Sequence, residues 1–136
     1  MLLSPARSRP AGDPGGTGPR RCRGAGSPAC SGDLLLGALA ACAQLTCQMV
    51  ATAMGIDTER IGVTVDGDLD LRGTLGVSRE AKAGFDAIRV RFAIDAPGAS
   101  SDQLASLEEK TERYSTVLQT LLDPPSIDAT LSADPG

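Results

Sequence analysis

No charged residue lies between Asp33 and Asp57, and the twenty-one residues from Leu34 to Met54 are dominated by Leu, Ala, Met and Val. Wound as an α-helix, such a run is roughly 31 Å long at about 1.5 Å per residue. Gly55 follows it, a residue suited to the left-handed turn that closes helices, and Ser31 or Asp33 can supply a capping oxygen at its start. Three structures accommodate a segment of this kind: a membrane span, a cleaved lipoprotein signal, or a core helix. Against the span stand its high alanine content, the polar Gln44, Thr46, Gln48 and Thr52, acidic flanks and no aromatic belt. Leu39-Ala40-Ala41-Cys42 has the look of a lipoprotein cleavage box behind an Arg-rich stretch that includes Arg20-Arg21, which would leave the chain anchored through Cys42. The apolar region ahead of that box is only Leu34 to Ala41, however, and the apolar pattern continues past the cysteine, where lipoproteins carry a polar tether. The favoured reading is a helix buried by its own sheet and by a partner subunit. A cytoplasmic location is then expected.

The rest of the chain supplies what such a helix can pack against. Residues 1–31 hold six glycines and five prolines without apolar periodicity, and are expected to be a disordered Gly/Pro/Arg-rich tail. A single domain is expected over 32–134. Ile61 to Leu71 alternates apolar and polar residues with period two, as does Phe85 to Ile94, and each predicts a half-buried strand. The turn-rich span 72–84 between them predicts a hairpin connection. Leu104 and Leu107, behind a capping Ser or Asp, predict a helix to about Tyr114, and Val117 to Leu122 a further helical turn or two. Pro124-Pro125 breaks that run, and Ile127–Leu131 can be a closing strand. The order predicts an α+β domain, with an antiparallel sheet packed on a long buried central helix.

Composition removes several function classes. The chain has no histidine, which excludes Ser-His, Cys-His and His-metal chemistry together. Its net charge is −4, and residues 1–30 hold five arginines against one acid, so the remainder stands at −8 (−4 minus +4). An acidic body with only Phe85, Phe92 and Tyr114 as aromatics offers neither a basic stripe nor stacking rings, so no nucleic-acid partner is expected. So few large rings also leave a thin core, which a second subunit would complete. The spacing of Cys22, Cys30, Cys42 and Cys47 matches no common zinc pattern, and neither metal nor cofactor is expected. Cys22 and Cys30 sit in the Gly/Pro/Arg-rich segment and are read as inert.

On the helix, Ala38, Leu39, Leu45, Thr46 and Met49 share the side of Cys42, and Gln44 and Gln48 fall nearly opposite. Cys47 is turned by about 140°, with its Cα roughly 8–9 Å away, beyond disulfide reach. Periodicity alone describes both cysteines equally well as small core hydrophobes.

The stretch Ser31-Gly32-Asp33-Leu34-Leu35-Leu36-Gly37-Ala38-Leu39-Ala40-Ala41-Cys42 resembles the P-x-[DE]-L-L-x-x-A-L-x-A-C start of the central helix in the osmotically inducible protein C / organic hydroperoxide resistance (OsmC/Ohr) family. The segments GVTVDGDLDLRGTLG and FDAIRVRFAIDAPGASSDQLASL are similar to that family's strand pair and following helix. Thr111-Glu112-Arg113-Tyr114-Ser115-Thr116-Val117 occupies the place of its A-E-x-x-C-P-V signature. The similarity runs from residue 31 to about 131. It implies an intertwined homodimer that reduces organic hydroperoxides in oxidative-stress defence at the expense of an external dithiol. Cys42 matches the peroxidatic cysteine, which becomes a sulfenic acid, and Asp33 matches the motif's acid.

Two departures bear on the chemistry. Ser115 stands at the position of the resolving cysteine and Thr116 replaces the proline. A serine forms no disulfide, so an external thiol must resolve the sulfenate or the cycle is lost. The family also carries an activating arginine on a strand ahead of the central helix, and no residue of 1–31 aligns with it. The distinction matters, because a thiol of pKa about 8.5 is only about 3% thiolate at pH 7, whereas one near 6 is about 90% thiolate. Arg113, two residues before Ser115, is the candidate activator. The alternative is a non-catalytic dimer of the same fold that binds a small apolar ligand or a partner.

Overall fold

The computed structural model describes residues 7–9 and 31–133. The charge-free run forms one helix, α1 (Ser31–Ala53). It begins earlier than a cap at Asp33 would allow. Ser31 is already helical and Asp33 lies in the first turn, where a carboxylate favours the positive end of the helix dipole. The far end closes as the sequence implies. Gly55 takes a φ of +67°, Ile56 N–H donates to Ala51 O at 2.9 Å and Gly55 N–H to Thr52 O at 3.1 Å. That pair of bonds is a Schellman closure, and it brings Ile56 into the core beside Ala51.

The sheet is built on β2 (Arg60–Leu69) and β3 (Phe85–Asp95), paired antiparallel with Val65 opposite Val90. Val63 and Val65 face α1, and Thr64, Asp66 and Asp68 alternate to the other side. There the register is reinforced by diagonal ion pairs. Arg89 donates both outer guanidinium nitrogens to Asp68 at 2.7 and 2.8 Å, and Arg91 pairs with Asp66. Gly67 is required on the inner face, since a methyl there would come within 2.7 Å of the Phe85 ring. β2 ends before Leu71 because the Asp70 carboxylate accepts the Arg72 N–H at 3.0 Å. That bond opens the short α2 (Leu71–Thr74) inside what the sequence suggests is a plain hairpin connection.

The structure differs from the sequence expectation at both ends. A three-residue strand, β1 (Arg7–Arg9), pairs parallel with β2, although residues 1–31 show no strand pattern. Its backbone takes up hydrogen bonds that the edge of β2 offers, a tertiary opportunity that periodicity does not report. Residues 1–6 and 10–30, with Cys22, Cys30 and the remainder of the expected disordered tail, lie outside the described residues. At the other end, Ile127–Leu131 is not a strand. It pairs with no described strand, and Ile127 and Leu131 are 85% and 96% exposed.

Two helices complete the layer around α1. α3 (Ser101–Tyr114) starts with a reciprocal capping box, Ser100 Oγ accepting from Gln103 N–H and Gln103 Oε1 from Ser100 N–H. α4 (Thr116–Leu122) follows after the single residue Ser115 and stops ahead of Pro124. α1 touches β1, β2, α3 and α4. Its inner side, Leu36, Leu39, Ala40, Ala43, Cys47 and Ala51, forms the core with Ile61, Val63, Val65 and Leu107. Full burial of one such leucine contributes about 1.5–3 kcal/mol. The helix is long and apolar enough to cross a membrane by length and composition, yet this side is taken up by the sheet and α3. Its outer side is uncovered in the single chain, with Leu34 64%, Leu45 54% and Met49 64% exposed.

Candidate functional site

Cys42 lies halfway along α1 at the border between the inner and outer sides, and is half-buried. What surrounds its sulfur is decided by the junction of α3 and α4. Ser115, fully buried, is both the last cap of α3 and the first cap of α4, and its hydroxyl donates to Cys42 Sγ at 3.4 Å. The peptide N–H groups of Thr116 and Val117 and the hydroxyl of Thr46, one helical turn after Cys42, also favour the thiolate. Burial pushes the Cys42 thiol up. The donors, led by Ser115 and followed by Val117, Thr46 and Thr116, outweigh burial and leave the thiol below its ordinary value. Among the described residues, the four donors that favour the thiolate here are all neutral.

Cys47 meets different surroundings. It is fully buried on the inner side of α1, and burial pushes its thiol up, offset only in part by the neighbouring Thr111 side chain. The Thr111 hydroxyl is itself committed to Leu107 O at 2.7 Å. Gln44, three residues before Cys47, is buried as well, donating to Ile61 O at 3.2 Å.

The structure thus brings together two of the residues singled out from sequence, Cys42 and Ser115, which are separated by 73 positions in the chain. Arg113 is exposed in the last turn of α3 and contributes nothing to the shift at Cys42. Asp33 stands in the first turn of α1, more than two turns from Cys42. Sequence reasoning gave Thr46 no role, although its spacing of four from Cys42 announces a hydroxyl on the same helical side. The Thr116 and Val117 amides could not have been found in this way, because any residue but proline carries an N–H. Cleavage ahead of Cys42 would strip Leu36, Leu39 and Ala40 from the core, which argues against the lipid-anchored reading. Among the described residues, no group of three or more Cys, Asp or Glu side chains converges as a metal site would require.

Comparison with known proteins agrees with this architecture. A family model described as OsmC-like protein matches residues 24–130. Among solved structures, the chain is similar to the crystal structure of an OsmC like protein from Mycoplasma pneumoniae, with a TM-score of 0.59 and 21% sequence identity. That match covers 68% of this chain and 61% of the solved one, so the chain spans less than two thirds of that relative's length. At this identity the likeness speaks for the fold. No curated protein matches the chain.

Proposed function

The chain belongs to the OsmC-like protein family, and from that premise we propose that it is a thiol-dependent hydroperoxide reductase of oxidative-stress defence, with Cys42 as the peroxidatic nucleophile. The observation that carries this reading is the half-exposed sulfur of Cys42, biased toward thiolate by donors from two segments distant in sequence. The thiolate attacks one oxygen of an organic hydroperoxide and the O–O bond breaks. The alkoxide leaves and takes up a proton as the alcohol, and Cys42 is oxidised to a sulfenic acid. Ser115 offers no sulfur to condense with it. An external thiol attacks the sulfenic sulfur, water leaves, and a mixed disulfide forms. A second external thiol then releases Cys42 and carries away the oxidised reductant as a disulfide. Two electrons pass from the external thiols to the peroxide, and no resident cofactor enters the cycle.

The same reading includes a homodimer. The outer side of α1 presents Leu34, Ala38, Ala41, Leu45 and Met49 as an exposed apolar stripe without a charge. A stripe of this kind marks an association surface, and its two alanines admit close approach of an identical helix. The substitution of Ser115 favours a second reading, a non-catalytic dimer that binds a small apolar ligand or a partner on this fold. One experiment separates the two. Cys42→Ala should abolish dithiol-dependent consumption of cumene hydroperoxide, Cys47→Ala should retain it, and dimedone should label Cys42 after peroxide treatment. Equal activity of the two variants, or a folded dimer in which Cys42 resists dimedone, would overturn the peroxidase.

A further inference from the structure

Ser115 is placed to cap α4, and a serine in that position ordinarily turns its oxygen back to accept an N–H of the first turn. It makes no such bond. Its hydroxyl is given to Cys42 Sγ at 3.4 Å, and the Val117 N–H, one of the two groups a capping oxygen would serve, favours the same sulfur as a thiolate, as does the Thr116 N–H before it. The sulfur therefore stands where the cap acceptor would be. A thiolate is a far better acceptor than a thiol, so this arrangement discriminates between the two protonation states.

We propose that Ser115 and Thr116 are positioning residues for Cys42, whose side-chain O–H and backbone N–H hold the sulfur as a thiolate. The inference rests on the reading of Cys42 as the reactive thiol and says how it is held. The residue types matter at both positions. The family signature that this stretch resembles has cysteine and proline there, a weak donor followed by a residue with no N–H at all. Serine and threonine supply two donors in their place. Among the residues whose side chains the structure describes, no charged or titratable group competes for this role. α1 carries no charge after Asp33 and α4 carries none. Glu112, Arg113 and Tyr114, at the end of α3, are exposed and contribute nothing to the shift at Cys42.

The test is the pH dependence of Cys42 alkylation by iodoacetamide on the full chain, followed by mass spectrometry of the peptide that carries it. Ser115→Ala should move the midpoint upward by about one pH unit and slow the reaction at pH 7 about tenfold, and Ser115→Thr, which keeps the hydroxyl, should restore it. Thr116→Pro provides an independent arm. Position 116 is the first residue of α4, where proline is well tolerated, and Ser115 already has the extended backbone (φ −74°, ψ 108°) that precedes proline. That variant removes one N–H without breaking the helix and should also raise the midpoint. If Ser115→Ala fails to fold, Thr116→Pro decides. An unchanged midpoint in the folded variants, or a Ser115→Thr that behaves like Ser115→Ala, overturns the proposal. Failure of the peroxidase reading looks different. The midpoints would shift as stated, while peroxide left no dimedone-reactive sulfur on Cys42 of the unaltered chain.

Discussion

Cys42 and Cys47 are the same side chain on the same helix, five residues apart, and the fold treats them oppositely. Cys47 is sealed between α1 and α3, with one hydroxyl for company and its thiol pushed up by burial. Cys42 stands half-open to solvent, and four donors hold its thiol down against burial. Five residues turn a helix by about 140°, enough to carry a side chain from the core to the α3–α4 junction. The difference teaches that the ionisation of each thiol is set by what the helix faces, since both cysteines lie in the same charge-free run.

Several measurements would break or sharpen that contrast. The largest expected effect is in alkylation. In the native protein at pH 7, Cys42 should react about 100-fold faster than Cys47, and the ratio should fall to about one in concentrated guanidinium chloride. A ratio that survives denaturation would locate the difference in local sequence rather than tertiary surroundings. Next comes stability. Leu39→Ala, on the side of Cys47, should cost about 2–5 kcal/mol in urea unfolding. Leu45→Ala, on the uncovered side, should cost under about 1 kcal/mol within the monomer; if the proposed homodimer forms through this side, sedimentation equilibrium should also show weaker self-association.

The pH dependence of folding should then separate the two thiols. The Cys47 thiol is raised in the folded chain, so its contribution is complete below the ordinary thiol value of about 8.5 and is lost as pH rises through the raised value. The Cys42 thiol is lowered, so its contribution is complete above that ordinary value and is lost as pH falls through the lowered one. Cys47→Ala should accordingly flatten the alkaline fall of the urea midpoint, and Cys42→Ala should flatten a shallower fall on the neutral side. The smallest effect is expected from Thr111→Val. It removes the hydroxyl beside Cys47 while keeping volume, and should slow Cys47 alkylation further without moving the Cys42 profile. Movement at both cysteines would mean that the two environments are coupled through α3.

Much of the fold was legible before any coordinates. The charge-free run, its Gly55 stop, the two alternating strands and the helices on either side of Ser115 appear where patterning puts them, because burial imposes a period on each element. The misses share a cause. β1 and the expected strand at Ile127–Leu131 depend on whether an edge is free to pair, and alternation within a segment carries no information about its neighbour. Ser31 and Asp33 both have the look of a cap before an apolar run, whereas the helix already includes both.

For the site the division is similar. The residues of α1, read in order, were enough to bring forward Cys42 over Cys47 by family resemblance, and to identify Ser115 as the residue at the second cysteine's position. Activation was sought in Arg113, because a cation is the commonest way to lower a thiol and side chains are what a sequence displays. Among the described residues, the groups that lower the Cys42 thiol are hydroxyls and peptide N–H groups. Peptide groups are present at every residue but proline, so only the packing of α4 against α1 could say which of them point at a sulfur 74 and 75 positions away. The linear order thus determined which side chains stand at the family's motif positions. The tertiary structure decided the protonation state they favour, because a hydrogen bond depends on distance and direction that spacing along the chain does not encode.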